Sequence, residues 1–188
     1  MTKKNNRKLK SARNDMFSAV ASIRRVVRVL RLASQQTQAA AGVGAAQLFV
    51  LQQLGDGAEL SLNELAERTL TDRSSVASVV ERLQAQELVD RTTDPSDRRR
   101  AVVRITATGK RLLGRAPDAP TTALLAALRR LDSRELSALA ESLRQLTVAL
   151  GATQEPPSML FADDAAVRAS PRRKSIRSKL RRPSIANG

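Results

Sequence analysis

The sequence predicts a mostly α-helical fold that carries one small β-hairpin. Three observations predict it. Apolar residues recur at spacings of three and four along most of the chain, the mark of helices with one buried face. On both sides of Asp94-Pro95-Ser96-Asp97 the period shortens to alternation, the mark of paired strands. The apolar residues are mainly Leu, Val and Ala, with three Phe and no Trp or Tyr, and small aliphatic side chains suit packing between helices.

Residues 1–13 hold six Lys or Arg and no acid, which predicts a basic arm, disordered until it meets a partner. From Asn14 to about Ala40, the residues Met16, Val20, Ile23, Val27 and Leu30 form a helical stripe close to a heptad seam. Gly42 and Gly44 mark its end. A second helix is expected from Ala45 to Leu54, followed by an Asp56-Gly57 turn and a very short strand at Leu60. Ser61 and Glu64 have capping-box spacing, so a short third helix should run from Leu62 to Arg68. Asp72 is a good N-cap for a fourth helix reaching about Gln86, with Val76, Val79, Val80 and Leu83 inward.

Leu88 to Thr93 and Ala101 to Thr106 read as the two strands of the hairpin. Pro117 and Pro120 break a helical pattern that resumes from Thr121 to Leu131. Asp132 and Glu135 repeat the capping-box spacing before a last helix carrying Leu136, Leu139, Leu143, Leu146 and Leu150. Beyond Gly151, Pro, Ser and Arg predict a disordered basic tail over 151–188. The folded domain is thus expected to span 14–150.

A net charge of +15 predicts attraction to a polyanion, either nucleic acid or an anionic membrane surface. Most of the excess lies at the two ends. Residues 14–150 carry nineteen basic against fifteen acidic side chains, so the folded part must make its case for DNA by arrangement. The absence of Cys and His excludes disulfides, thiol redox sensing, Cys/His zinc sites and histidine triads. No cofactor or metal is expected. Thr108-Gly109-Lys110 lacks Walker spacing before it, and no acid pair stands out on an apolar background, so an enzyme is not expected either. No apolar run approaches a membrane span, and Ser22, Arg24 and Arg25 interrupt the segment after the basic N-terminus. The expectation is a cytoplasmic protein with no membrane partner.

Two helices joined by a tight turn and followed by a hairpin have the order of a winged helix-turn-helix. A helix fits the DNA major groove, and the side chains near its N-terminus reach base edges. At the start of the fourth helix Arg73, Ser74 and Ser75 are polar, Ala77 and Ser78 are short enough for close approach, and Arg82 follows one turn on. The same residues also fit a merely solvated helix face. At the hairpin tip, Asp97 precedes Arg98, Arg99 and Arg100. Arginine gains from the concentrated negative potential of a narrow minor groove, and a neighbouring acid can fix the direction of one guanidinium. A solvated charge run is the plain alternative.

The stretch Asp94-Pro95-Ser96-Asp97-Arg98-Arg99, followed by Val103 to Gly109, resembles the wing signature of the MarR family of bacterial regulators. Asn63-Glu64-Leu65-Ala66, Asp72 to Val76, Arg82-Leu83 and Leu88-Val89 resemble that family's reading head, at the family's spacing. The resemblance implies a homodimer joined through first and last helices (14–40 and 121–150), with the head at 45–109. It would bind a roughly palindromic duplex, one recognition helix per major groove and one wing per adjacent minor groove. Arg99 would be the arginine that enters the groove, Asp97 would position it, and Thr106 and Gly109 would form the turn into the next helix. A ligand-responsive repressor, with a small aromatic or phenolic effector, is what the family implies.

Three features depart from the pattern. Ala77 and Ser78 stand where many relatives carry larger polar residues, which shifts base readout toward Arg73, Ser74, Ser75 and Arg82. Pro117 and Pro120 interrupt a helix that is usually continuous. The tail from Arg172 to Arg182 is an addition whose cations suit non-specific phosphate contact. That tail keeps a second reading open: an architectural protein that coats DNA without responding to a ligand.

Overall fold

The computed structural model describes residues 3–93, 101–152 and 158–162. In chain order these form α1 (Lys3–Ala41), α2 (Ala45–Gln53), α3 (Leu62–Thr69), α4 (Arg73–Ala85), β1 (Val89–Thr93), β2 (Ala101–Ile105), α5 (Ala107–Leu113), α6 (Pro120–Leu128) and α7 (Ser133–Ala149). The mostly helical class with one hairpin is as expected.

The first correction concerns the N-terminus. α1 begins at Lys3 rather than near Asn14, so most of the segment expected to be a disordered arm belongs to a 39-residue helix. The sequence from Lys3 to Ala41 contains neither Gly nor Pro and is rich in Ala, Arg and Lys. These residues lose little in extending an existing helix, so nothing stops it short of Gly42. Gly42 takes φ +72°, a left-handed conformation that suits glycine, and its N–H donates to the Gln38 carbonyl at 3.0 Å.

α2 is the centre of the head. Every residue from Ala45 to Leu51 is buried, because neighbours cover the helix on all sides. Its one buried polar side chain, Gln47, accepts from the Gly44 N–H and donates to Gln86 Oε1 at 3.0 Å, tying α2 to the end of α4. α3 has its capping box: Ser61 Oγ accepts from the Glu64 amide, and the Glu64 carboxylate accepts from the Ser61 amide at 2.8 Å. The turn out of α3 places Leu70 at φ 54°, leaving a tight connection to Asp72. α4 buries Val76, Val79, Val80 and Leu83, as its period predicts. Full burial of each such side chain contributes about 1.5–3 kcal/mol.

β1 and β2 pair antiparallel, with Val89 opposite Ile105, Arg91 opposite Val103 and Thr93 opposite Ala101. Leu60 adds the expected stub of a third strand, exchanging backbone hydrogen bonds with Val103 at 3.0 and 2.7 Å. Thr106 then caps α5. Its hydroxyl accepts from the Gly109 amide at 3.0 Å and donates to the Glu87 carbonyl at 2.8 Å. A Cβ on Gly109 would sit 2.2 Å from the Leu88 carbonyl oxygen, so only glycine lets α5 lie this close to the start of the wing.

The prolines act where they were expected, in a specific way. Pro120 is the first residue of α6, where a missing amide costs nothing, and Pro117 lies in the link between α5 and α6. A second break follows α6, three residues earlier than the sequence suggests, and Asp132 caps α7 with Glu135 closing the box. α7 buries none of its residues, although it carries a full leucine stripe.

The tail gives the second correction. Residues 158–162, inside the segment expected to be disordered, lie against α4, and Met159 and Ala162 join the apolar core. Among the described residues no helix is long and apolar enough to cross a membrane.

Candidate nucleic-acid interface

α4 is organised from its cap outward. The Asp72 carboxylate accepts from the Ser75 amide at 2.8 Å and from the Ser74 hydroxyl in a short contact. These bonds, the Ser74 hydroxyl first and the Ser75 amide second, hold Asp72 below its ordinary pKa, so it is a fixed negative cap. Behind it, the residues one and two places around from the buried valines form the polar face.

Arg73 and Ser74 are exposed at the helix start, and Ser78 is exposed one turn later. Ser75 and Arg82 are half-buried and share one strip with Ser78, at spacings of three and four. Arg82 does not extend into solvent. Its Nε donates to the Ser78 carbonyl at 3.2 Å and its Nη1 to the Ala162 carbonyl at 2.6 Å. Together, Asp72, Ser74, Ser75, Ser78 and Arg82 line a shallow cleft of about 250 Å³, closed on one side by Ser158 and Ala162. Ala77 is half-buried. It packs against the core at the edge of the face that buries Val76 and Val80.

The wing is described up to its tip. Arg91 and Arg104 emerge from the strands, and Arg104 reaches Asp90 at 3.9 Å across the hairpin base. A larger cleft of about 370 Å³ lies there, but Glu59 and Asp90 share it with Arg104 and Lys110, a mixed lining poorly suited to phosphate. Asp97, Arg98, Arg99 and Arg100 lie outside the described residues. Sequence reasoning missed the contact of residues 158–162 with α4. Its one signal was the apolar triplet Met159-Leu160-Phe161 in an otherwise polar tail. Among the described residues no cluster of three or more acids, Cys or His could hold a metal.

A central buried helix, two further helices joined by a left-handed turn, and a hairpin leading into the next helix define a winged helix-turn-helix protein. The MarR family model matches residues 41–100, which run from the end of α1 past β1 and stop just before β2. Over that stretch the chain is similar to the MarR family. The HTH-type transcriptional repressor NicR of Pseudomonas putida is 40% identical over 67 residues, 36% of this chain. That match spans only 42% of the relative's length. Sco3205, a MarR family transcriptional regulator from Streptomyces coelicolor solved in complex with DNA, has a TM-score of 0.53 at 24% identity, covering 77% of this chain and 96% of its own. A MepR-like protein complexed with pseudoligands has a TM-score of 0.50 at 24% identity, over 73% of this chain and 96% of its own. These two structures carry the fold. NicR is named a transcriptional repressor and Sco3205 a transcriptional regulator.

Proposed function

We propose that this protein is a sequence-specific double-stranded DNA-binding transcriptional regulator, a homodimer acting as a ligand-responsive repressor on a roughly palindromic site. The observation that carries the reading is the two-sided character of α4. One side is sealed into the head by Val76, Val79, Val80 and Leu83, and the other presents Arg73, Ser74, Ser75, Ser78 and Arg82. A helix so mounted fits a major groove with its polar side toward the base edges. In this reading the head spans 45–109, Arg99 enters the neighbouring minor groove with Asp97 steering it, and Arg98 and Arg100 meet phosphates. The name of the NicR relative supports repression.

The dimer is supported by apolar surface that the single chain leaves uncovered. Phe17 is 76% exposed, and Met16, Val20, Ile23, Val27, Leu136, Leu139, Leu143 and Leu146 are also exposed. Large apolar patches of this kind mark association surfaces, and two stripes at opposite ends of one chain suit a symmetric pair. A small aromatic effector would act only by binding one spacing of the two heads better than the other.

The test is footprinting on the DNA upstream of the gene, followed by affinity for that site against scrambled duplex at physiological salt. A preference of about a thousandfold or more is expected. A second reading, architectural coating of DNA, draws on the basic residues concentrated at the two ends of the chain. Near-equal affinity for site and scramble is the outcome that favours it.

A further inference from the structure

Part of the polar face of α4, the strip of Ser75 and Arg82, is already occupied. Residues 158–162 lie across it in a turn closed by the Ala162 N–H donating to the Met159 carbonyl at 3.0 Å. The Met159 N–H donates to Ser75 Oγ at 3.0 Å, and Arg82 donates to the Ala162 carbonyl at 2.6 Å. Met159 and Ala162 are 4% and 9% exposed, against the same core that holds α4. The segment therefore uses Ser75 and Arg82 and walls the cleft that Ser78 lines. A major groove about 12 Å wide accepts a bare helix. It does not accept a helix with a second chain laid along its outer face.

The geometry points to an autoinhibitory plug: residues 158–162 cover the Ser75–Arg82 strip of the DNA-reading face of α4, and duplex DNA binds only when they leave. The inference rests on the assignment of α4 as the recognition helix and adds its regulation. The plug is built to be displaced. Two side chains and two hydrogen bonds hold it, Leu160 remains 42% exposed, and Phe161 sits at φ 64°, a left-handed conformation unfavourable for a phenylalanine. On displacement Arg82 exchanges a neutral carbonyl for a phosphate or base acceptor, a stronger charge-assisted bond. Closure acts on apparent affinity through the open fraction: a chain open about a tenth of the time binds about tenfold more weakly.

The chain has no cysteine, so Met159→Cys in the full chain introduces a sole thiol at the plug. That thiol should resist maleimide in the free protein. At saturation with a short duplex from the gene's own upstream region, followed by anisotropy, its labelling should accelerate about tenfold or more. Met159→Asp, checked by thermal melting, should bind the same duplex about tenfold more tightly than wild type. Arg73→Ala, outside the plug, separates the two claims. Binding that weakens in Arg73→Ala, with labelling of the Met159→Cys thiol unchanged by saturating duplex, overturns the plug alone. So does a folded Met159→Asp with wild-type or weaker affinity. Labelling decides if Met159→Asp fails to fold. Absence of duplex binding by the wild type, or full binding by Arg73→Ala, refutes the α4 reading and the plug with it.

Discussion

α4 and α7 carry nearly the same sequence signal and meet opposite fates. Each is capped by an aspartate, and each repeats branched apolar residues at spacings of three and four. In α4 the stripe of Val76, Val79, Val80 and Leu83 is wholly buried, whereas the leucines of α7 are all exposed. Periodicity states that a face seeks cover. It does not state whether the cover comes from the same chain. The difference separates a head that completes itself from flanking helices whose apolar faces their own chain leaves exposed.

The sharpest way to break this comparison is to truncate one leucine from each stripe. Leu83→Ala should lower stability by about 2–5 kcal/mol in urea unfolding, at every protein concentration. Leu143→Ala should act through association: a loss of melting temperature that shrinks as protein concentration rises, with sedimentation showing a weakened dimer. Equal, concentration-independent losses would mean that α7 packs within its own chain.

Next in size is the wing. Arg99→Ala should weaken duplex binding by about tenfold or more and flatten its salt dependence by about one charge, with the dimer intact by sedimentation. Unchanged affinity would remove Arg99 from the interface.

A smaller effect lies inside the folded part. Among the described residues the hydroxyls of Thr37 in α1 and Thr121 in α6 are buried without a hydrogen-bond partner. Burial without a partner costs about 1–3 kcal/mol, so Thr121→Val should raise stability by about 1 kcal/mol in denaturant titration. A loss instead would show that the hydroxyl is satisfied in solution.

The smallest effect concerns the caps. Asp72 has a lowered folded-state pKa, because its carboxylate accepts from the Ser74 hydroxyl and the Ser75 amide. Its stabilisation is therefore fully present above the ordinary carboxylate range and is lost as pH falls through the lowered value. Asp72→Asn should melt slightly below wild type at neutral pH, and the gap should close in acid. A gap that persists in acid would show that the charge contributes nothing.

Much of this organisation is legible in the residues. Ser61, Asp72 and Asp132 cap helices as their types and spacings demand, since each bond spans three residues and needs no knowledge of the fold. The hairpin and the stub at Leu60 follow from alternation and turn residues. What stays hidden depends on contacts distant in sequence. Ala77 neighbours polar Ser78 and so reads as outward-facing, but the core reaches around the flank of α4. Met159 and Ala162 read as part of a polar tail, and their partners Ser75 and Arg82 lie 84 and 80 residues away. The extension of α1 to Lys3 is hidden for another reason: high charge reads as disorder, although helix propensity at those positions is good.

The length of α1 has a mechanical consequence. Thirty-nine residues at 1.5 Å each make a rod about 58 Å long, jointed to the head at Gly42. A tilt of about ten degrees at that joint sweeps the far end through about 10 Å, by the geometry of a lever of that length. Small angular settings between rod and head thus become large translations at its tip.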